Sequence, residues 1–371
     1  MDLQFCTPCL FGLEALCADE LKRLNFENVK TENGRVLFSG GFGDIAKANI
    51  NLRTAERVLI VVGEAKALSF DELFEGVRAM PWENYIPANA AFPVKGHSLG
   101  SKLHSIPDCQ KIIKKAVVER LLEKHKTQTL PETAEKYQIQ FAIMNDIATL
   151  YIDTSGAGLH KRGYRPVGSA APLRETLAAA IVKLSRFRGK ELVCDPFCGS
   201  GTVPIEAALA ALNRAPGLNR EFSAENWSWL QKNVWTDAKT EAKSREYSGD
   251  YEIYGSDIDP KCIEISKENA KRAGVSEYIK FSQSDATSFD KETGDRKGII
   301  MTNPPYGERV MEHSEAEELY KKFGAAIRKL NNWNIYILSS HTEFERTFGK
   351  TAVKKRKLYN GMIKCDLFMY Y

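Results

Sequence analysis

The alternation of apolar and polar positions sorts the first 65 residues into four short strands and two helices. LQFCT has the two-residue period of a strand, and LEALCADELKRL repeats every three to four residues, as a helix with one buried face does. ENVKTE and RVLFSG are strands again, joined at Asn33-Gly34, a pair that readily adopts the left-handed conformations of a two-residue hairpin. The helix DIAKANINL and the strand RVLIVVGEAK complete a βαββαβ order, a ferredoxin-like lead-in over residues 1–66.

A second α/β unit, 67–155, follows from a helix at 70–80 stopped by Pro81, the segment FPVKG, a basic loop, a helix at 108–124 and the strands YQIQFAI and IATLYIDTS. Gly, Pro and basic residues then interrupt all periodicity in SGAGLHKRGYRPVGSAAP, which reads as a linker, 156–172. From 173 to 371 strands and helices alternate, the pattern of a largely parallel, doubly wound sheet expected to fold by itself. Residues 213–250 separate its first two strands by far more than a crossover helix requires, and hold three of the five tryptophans. Extra helices on the flank of the sheet are the expectation there, with a lid over the substrate as the alternative.

Composition narrows the picture. A chain of 371 residues exceeds the usual single domain, and 52 Lys and Arg against 48 Asp and Glu leave a charge of only +4. Any surface for a polyanion must therefore be local. The N-terminus MDLQFCTPCLFGLE lacks a basic stretch ahead of an apolar one, and no run approaches membrane length, so a cytoplasmic protein without a membrane partner is expected. The eight cysteines are scattered. Cys6 and Cys9 lack a second pair at zinc spacing and read as small apolar residues at a packed turn, so no metal is expected.

The candidate chemistry lies in four strand ends. ELVCDPFCGSGTVPIEAALAA is a strand, a glycine turn and a helix, in which Gly199 and Gly201 let the main chain approach a ligand. The strand ends on Asp195, suited to a ligand ammonium, and no GxGxxG frame is completed. The next strand ends in Ser256-Asp257, a carboxylate placed for ribose hydroxyls, with Ile258 to lie against a purine. A third end carries Asp285, positioned to accept from an adenine amino group. Ammonium, ribose and adenine, with no basic residue in the glycine loop for a phosphate, describe S-adenosylmethionine rather than NAD or ATP.

The fourth strand, GIIM, runs into TNPPYG. An exocyclic amino group on a nucleobase is a poor nucleophile because its lone pair is delocalised into the ring. Asn303 Oδ1 and the Pro304 carbonyl can accept its two hydrogens and let the nitrogen pyramidalise, Pro304 and Pro305 stiffen the turn, and Tyr306 offers a face for an extruded base. Cys198 resembles the nucleophile of a cytosine-C5 enzyme, but it stands in the glycine loop, and the strand that would have to carry it carries asparagine.

DPFCGSGT, SDIDP, SDA and NPPYG, with GLHKRGYR and PLRETLAAA ahead of them, resemble the RNA guanine-N2 methyltransferases that carry an RNA-binding THUMP domain. The resemblance implies an α/β chain in which a Rossmann-like class I methyltransferase sheet (173–371) follows a ferredoxin-like lead-in and a THUMP domain (67–155). It implies N2-methylguanosine in 23S ribosomal RNA as the product. Asn303, Pro304, Pro305 and Tyr306 then serve the target base, and Asp195, Phe197, Gly199, Ser200, Gly201, Asp257, Ile258, Asp285 and Ala286 line the cofactor site, joined by Thr176 of RETLAAA. A transfer-RNA guanine-N2 enzyme, an adenine-N6 enzyme and an idle RNA-binding assembly factor are the alternatives, and the oligomeric state stays open.

For RNA, residues 91–126 hold eight Lys or Arg against three Asp or Glu, and Lys95, Lys102, Lys111 and Lys115 are expected to meet phosphates. Lys161, Arg162 and Arg165 with Tyr164 suit backbone and base contacts at the joint. TAVKKRKLYNGMIK has five positive and no negative residues, and its Asn360-Gly361 turn is expected to flank the target base if the last two strands pair antiparallel.

Overall fold

The computed structural model describes residues 2–166, 173–306 and 313–371. The lead-in runs β1 (Leu3–Pro8), α1 (Glu14–Arg23), β2 (Glu27–Glu32), β3 (Arg35–Gly40), α2 (Phe42–Asn51) and β4 (Leu59–Lys66). Gly34, at φ +73°, makes the expected hairpin between β2 and β3. The second unit follows as α3 (Phe70–Arg78), β5 (Val94–Leu99), α4 (Ile106–His125), β6 (Gln138–Met144) and β7 (Ile147–Asp153). Ser69 caps α3 through the Glu72 amide, and Lys126 at φ +53° ends α4.

The two units share one sheet. Its order is β2-β3-β1-β4-β7-β6-β5, because β4 pairs with β7 from Leu59–Asp153 to Lys66–Ile147. An eight-residue strand left unpaired along one side would be an open template for association, and β7 closes it. The buried faces of α1 to α4 join a single core, with Phe5, Phe38, Ile60, Ile139 and Leu150 beneath them. The other face keeps only a small cluster around Cys6, Leu59, Ala142 and Tyr151.

The C-terminal half comprises α5 (Glu175–Leu184), β8 (Leu192–Asp195), α6 (Thr202–Ala211), α7 (Asn233–Ser244), β9 (Ile253–Asp257), α8 (Pro260–Ala273), β10 (Ile279–Gln283) and β11 (Gly298–Thr302). It continues with α9 (His313–Ile327), β12 (Trp333–Ser339), α10 (Phe344–Phe348), β13 (Lys354–Asn360) and β14 (Ile363–Tyr370). The sheet order is β10-β9-β8-β11-β12-β14-β13, with β14 antiparallel to both its neighbours. β8 and β11 are buried along their whole length, as strands covered on both faces must be. The order reverses between them, which opens a crevice at their carboxyl ends.

Residues 213–250 are neither flank helices of this sheet nor a lid. Phe222, Trp227, Leu230 and Trp235 enter the core of the N-terminal sheet. Trp227 stacks on Tyr137 at 4.6 Å between centroids, and the Trp229 indole donates to the Tyr85 carbonyl at 2.8 Å. The insertion is a strap that binds the two halves. A fragment beginning at residue 173 would leave these aromatics in water, which argues against the expected self-sufficiency of the C-terminal unit.

The joint is packed rather than a loose linker. Arg162 is 3% exposed, donates to the Leu159 carbonyl and pairs with Glu206 of α6 at 3.4 Å. Tyr164, 2% exposed, donates to the same carboxylate, and Arg165 pairs with Glu175 at 2.6 Å. These three were expected to contact RNA. Arg162 and Tyr164 are spent on Glu206, because two domains meeting over α6 need a buried counter-charge for it, and Arg165 is turned inward to Glu175. Lys161 alone of the four remains exposed.

Candidate active site

The carboxyl edge of the second sheet collects the four strand ends. Asp195, at the end of β8, is 2% exposed, and its Oδ1 accepts from the Phe197 amide at 3.1 Å and from the Thr302 hydroxyl at 2.6 Å. Burial pushes its carboxyl up to about 7, against those two hydrogen bonds and with the like charge of Asp257 adding to the rise. No cation among the described residues offsets it. A desolvated carboxylate without a cationic partner fits a ligand ammonium.

Asp257 ends β9 and ties two loops. Its Oδ2 accepts from the Gly199 amide at 2.9 Å and its Oδ1 from the Asp259 amide at 3.0 Å, leaving lone pairs on both oxygens for a diol. Asp259 itself caps α8 through the Lys261 amide. The glycine turn needs its glycines: Gly199 and Gly201 have φ +49° and +81°. A side chain at Gly201 would strike Ser266, whereas beyond Gly199 no atom of the described residues lies within 4 Å, the cradle that close approach of a ligand to the backbone requires. From α8, Asn269 donates to the Ser200 carbonyl at 2.9 Å and holds the turn in place.

Ile258 is 67% exposed, an apolar surface standing free at the edge. Asp285 caps a short 3-10 turn, Ala286–Ser288, accepting from the Thr287 amide and hydroxyl at 2.8 Å each through Oδ1, so Oδ2 remains for an adenine amino group. Phe197 packs edge-on against Phe323 at 5.0 Å. Thr176 departs from expectation: it is fully buried, and its hydroxyl donates to Glu56 of the lead-in at 2.6 Å. It fastens α5 to the first sheet and is not a cofactor ligand.

Asn303 and Tyr306 lie directly beyond β11, and the Tyr306 hydroxyl donates to Asn303 Oδ1. Gly307 falls outside the described residues. The turn is fixed from below by Tyr320 of α9, fully buried, whose hydroxyl donates to the Pro305 carbonyl at 2.5 Å. The β13–β14 hairpin reaches the same edge, with Gly361 at φ +66° in its turn. Asn360 and Cys365 lie within hydrogen-bonding reach of the Tyr306 hydroxyl, and burial raises that phenol above its ordinary range. Pattern reading missed Thr302, Asn269 and Tyr320, whereas Asn360 belongs to the turn expected beside the target base. Thr302 was visible as the residue before NPPY, whereas Asn269 and Tyr320 stand on amphipathic helices with nothing local to mark them.

Of the expected phosphate contacts, Lys95, Lys102, Lys111 and Lys115 are all exposed. They do not form one track. Lys111 and Lys115 ride on α4, while Lys95 alternates with Val94, which packs against the core, and so emerges on the helix-free face. No cluster of His, Cys, Asp or Glu able to hold a metal occurs among the described residues, and none of their helices is long and apolar enough to cross a membrane.

A doubly wound sheet with an antiparallel β14, and with Asp195, Asp257, Asp285 and Asn303 gathered at its carboxyl edge, is that of a class I methyltransferase, and S-adenosylmethionine is its cofactor. Comparison with known proteins agrees. Residues 162–368 match the family described as "RMKL-like, methyltransferase domain", residues 4–59 an RlmL ferredoxin-like domain and residues 67–153 a THUMP domain. The chain belongs to this RMKL-like methyltransferase family. It is 45% identical over 363 residues to "Putative RNA methyltransferase YpsC" of Bacillus subtilis (strain 168), covering 97% of this chain and 94% of that one. It is 37% identical to "Ribosomal RNA large subunit methyltransferase K/L" of Psychromonas ingrahamii over 99% of this chain, and spans 50% of that longer protein. Among solved structures, SMU.472, "a putative methyltransferase complexed with SAH", superposes with a TM-score of 0.93 at 41% identity, covering 100% of this chain and 98% of that one. A Listeria monocytogenes protein described as a predicted N6-adenine-specific DNA methylase gives 0.94 at 46% identity, covering 100% and 96%.

Proposed function

We propose that this protein transfers the methyl group of S-adenosylmethionine to the exocyclic N2 of a guanine in RNA, with 23S ribosomal RNA as the substrate. The observation that carries the reading is Asn303, set at the end of β11 beside the switch point, with an Oδ1 that a hydroxyl donor already reaches. The THUMP match and the relatives named as large-subunit ribosomal RNA methyltransferases support RNA over DNA.

The cofactor supplies an electrophilic methyl; the chain supplies orientation. Asn303 Oδ1 and the Pro304 carbonyl accept the two amino hydrogens, so the nitrogen lone pair leaves conjugation and points at the methyl. Tyr320 holds the turn through Pro305, and Asn360 offers the Tyr306 hydroxyl a second partner when the base takes Asn303. Placement of this kind contributes most of the rate where no covalent intermediate forms. Nucleoside mass spectrometry of ribosomal and transfer RNA from a strain lacking the gene tests it. Loss of N2-methylguanosine from 23S RNA is expected; loss from transfer RNA, or of N6-methyladenosine, would overturn it.

A further inference from the structure

We propose that Met362, at the tip of the β13–β14 hairpin, is the wedge that fills the base stack when the target nucleotide is drawn out of a folded RNA. The inference rests on the base-extruding reading above. Because β14 runs antiparallel to β12, the turn between β13 and β14 projects from the catalytic edge. Asn360, on one side of the turn, and Cys365, on the other, reach the Tyr306 hydroxyl, and Ile363 packs on the same core as Tyr306. Two residues of chain span at most about 7 Å, so Met362 stands beside the place where the base must enter.

Met362 is 98% exposed, and no atom of the described residues lies within 4 Å of where a Gly361 side chain would be. A turn that merely reverses the chain takes polar residues. An unbranched, polarisable side chain held free in water beside the site suits insertion between stacked bases, as apolar wedges do in nucleic-acid complexes. The strands that carry it supply the counter-charge for flanking phosphates: Lys354, Lys355, Arg356, Lys357 and Lys364, with Asp366 the acid paired opposite Lys357 and Glu345 bound to Lys355. Unpairing and unstacking a nucleotide costs a few kcal/mol, and a wedge recovers part of it only where there is a stack to break.

The test compares two substrates for the full-length protein: folded, unmodified 23S RNA, and a short unstructured oligonucleotide bearing the same target guanine. Met362→Ala should lose about tenfold or more in kcat/KM on folded RNA while staying within about twofold on the oligonucleotide, and Met362→Leu should restore the folded substrate. Equal activity of Met362→Ala and the parent on folded RNA overturns the wedge. An equal loss on both substrates also overturns it, since that would be a general contact. If the parent methylates neither RNA, the proposed function fails first and the wedge with it, which sets the two failures apart. At 98% exposure the substitution leaves the fold intact.

Discussion

Replacing Asp195 by asparagine should uncouple cofactor binding from pH and at the same time stabilise the ligand-free protein. The native carboxyl titrates at about 7, pushed up chiefly by burial, whereas an unfolded aspartate titrates near 3.8. The native state therefore holds the extra proton between those values, and stability falls as pH rises through that window. Three units at about 1.4 kcal/mol each give a cost on the order of 4 kcal/mol above pH 7. An ammonium ligand needs the ionised form. At pH 6 only about one molecule in eleven is ionised, so the apparent affinity for S-adenosylmethionine should rise about fivefold from pH 6 to 7 and less than twofold from 7 to 8.

Calorimetry in buffers of different ionisation enthalpy should show close to one proton released per cofactor bound at pH 6 and almost none at pH 8. Asp195→Asn should melt higher than the parent at pH 8 without ligand, equal it near pH 4, and lose the thermal shift on cofactor addition. An affinity that is flat from pH 5.5 to 7.5, or an asparagine variant that melts no higher at pH 8, would refute the argument that this acid is a desolvated receptor for a cation.

Asn303→Ala should abolish turnover yet leave cofactor affinity within a few-fold, because the side chain acts on the acceptor amine; single-turnover kinetics beside calorimetry decides it. Arg162→Ala leaves the buried Glu206 without its ion-pair partner, with only the Tyr164 hydroxyl still donating to it, and should cost about 3 to 5 kcal/mol of stability, read by urea denaturation, while the double replacement Arg162→Met with Glu206→Gln should recover much of it. Replacing Lys102, Lys111 and Lys115 together should reduce the slope of log affinity against log salt by about 0.7 to 0.9 for each phosphate that a lysine no longer neutralises; an unchanged slope would mean that α4 presents only a solvated face.

The element order of the lead-in, the alternation of the catalytic half and the four strand ends were legible because each is a local pattern: a strand, a turn residue and a short polar motif report themselves within a few positions. Asp195, Asp257, Asp285 and Asn303 share one edge because parallel strands must all end on the same side. The hairpin at Asn360-Gly361 was legible for the same reason, since turn chemistry is a two-residue property. Charge misled where burial decided. Arg162, Tyr164 and Arg165 read as an RNA-binding cluster, and only their pairing with Glu206 and Glu175 showed them to be internal.

The gathering of these residues at the carboxyl edge was thus determined by sequence, residue type and strand period together. Tertiary structure alone decided how that edge is held. The pairing of β4 with β7 merges two apparent domains, and the strap from 213 to 250 leaves the catalytic sheet for the core of the other half. Tyr320 comes to the NPPY turn from α9, and Thr176 is drawn to Glu56. None of these partners has a sequence signal, because a long-range contact depends on where two surfaces meet in space, and a local pattern specifies only which side of an element will be buried.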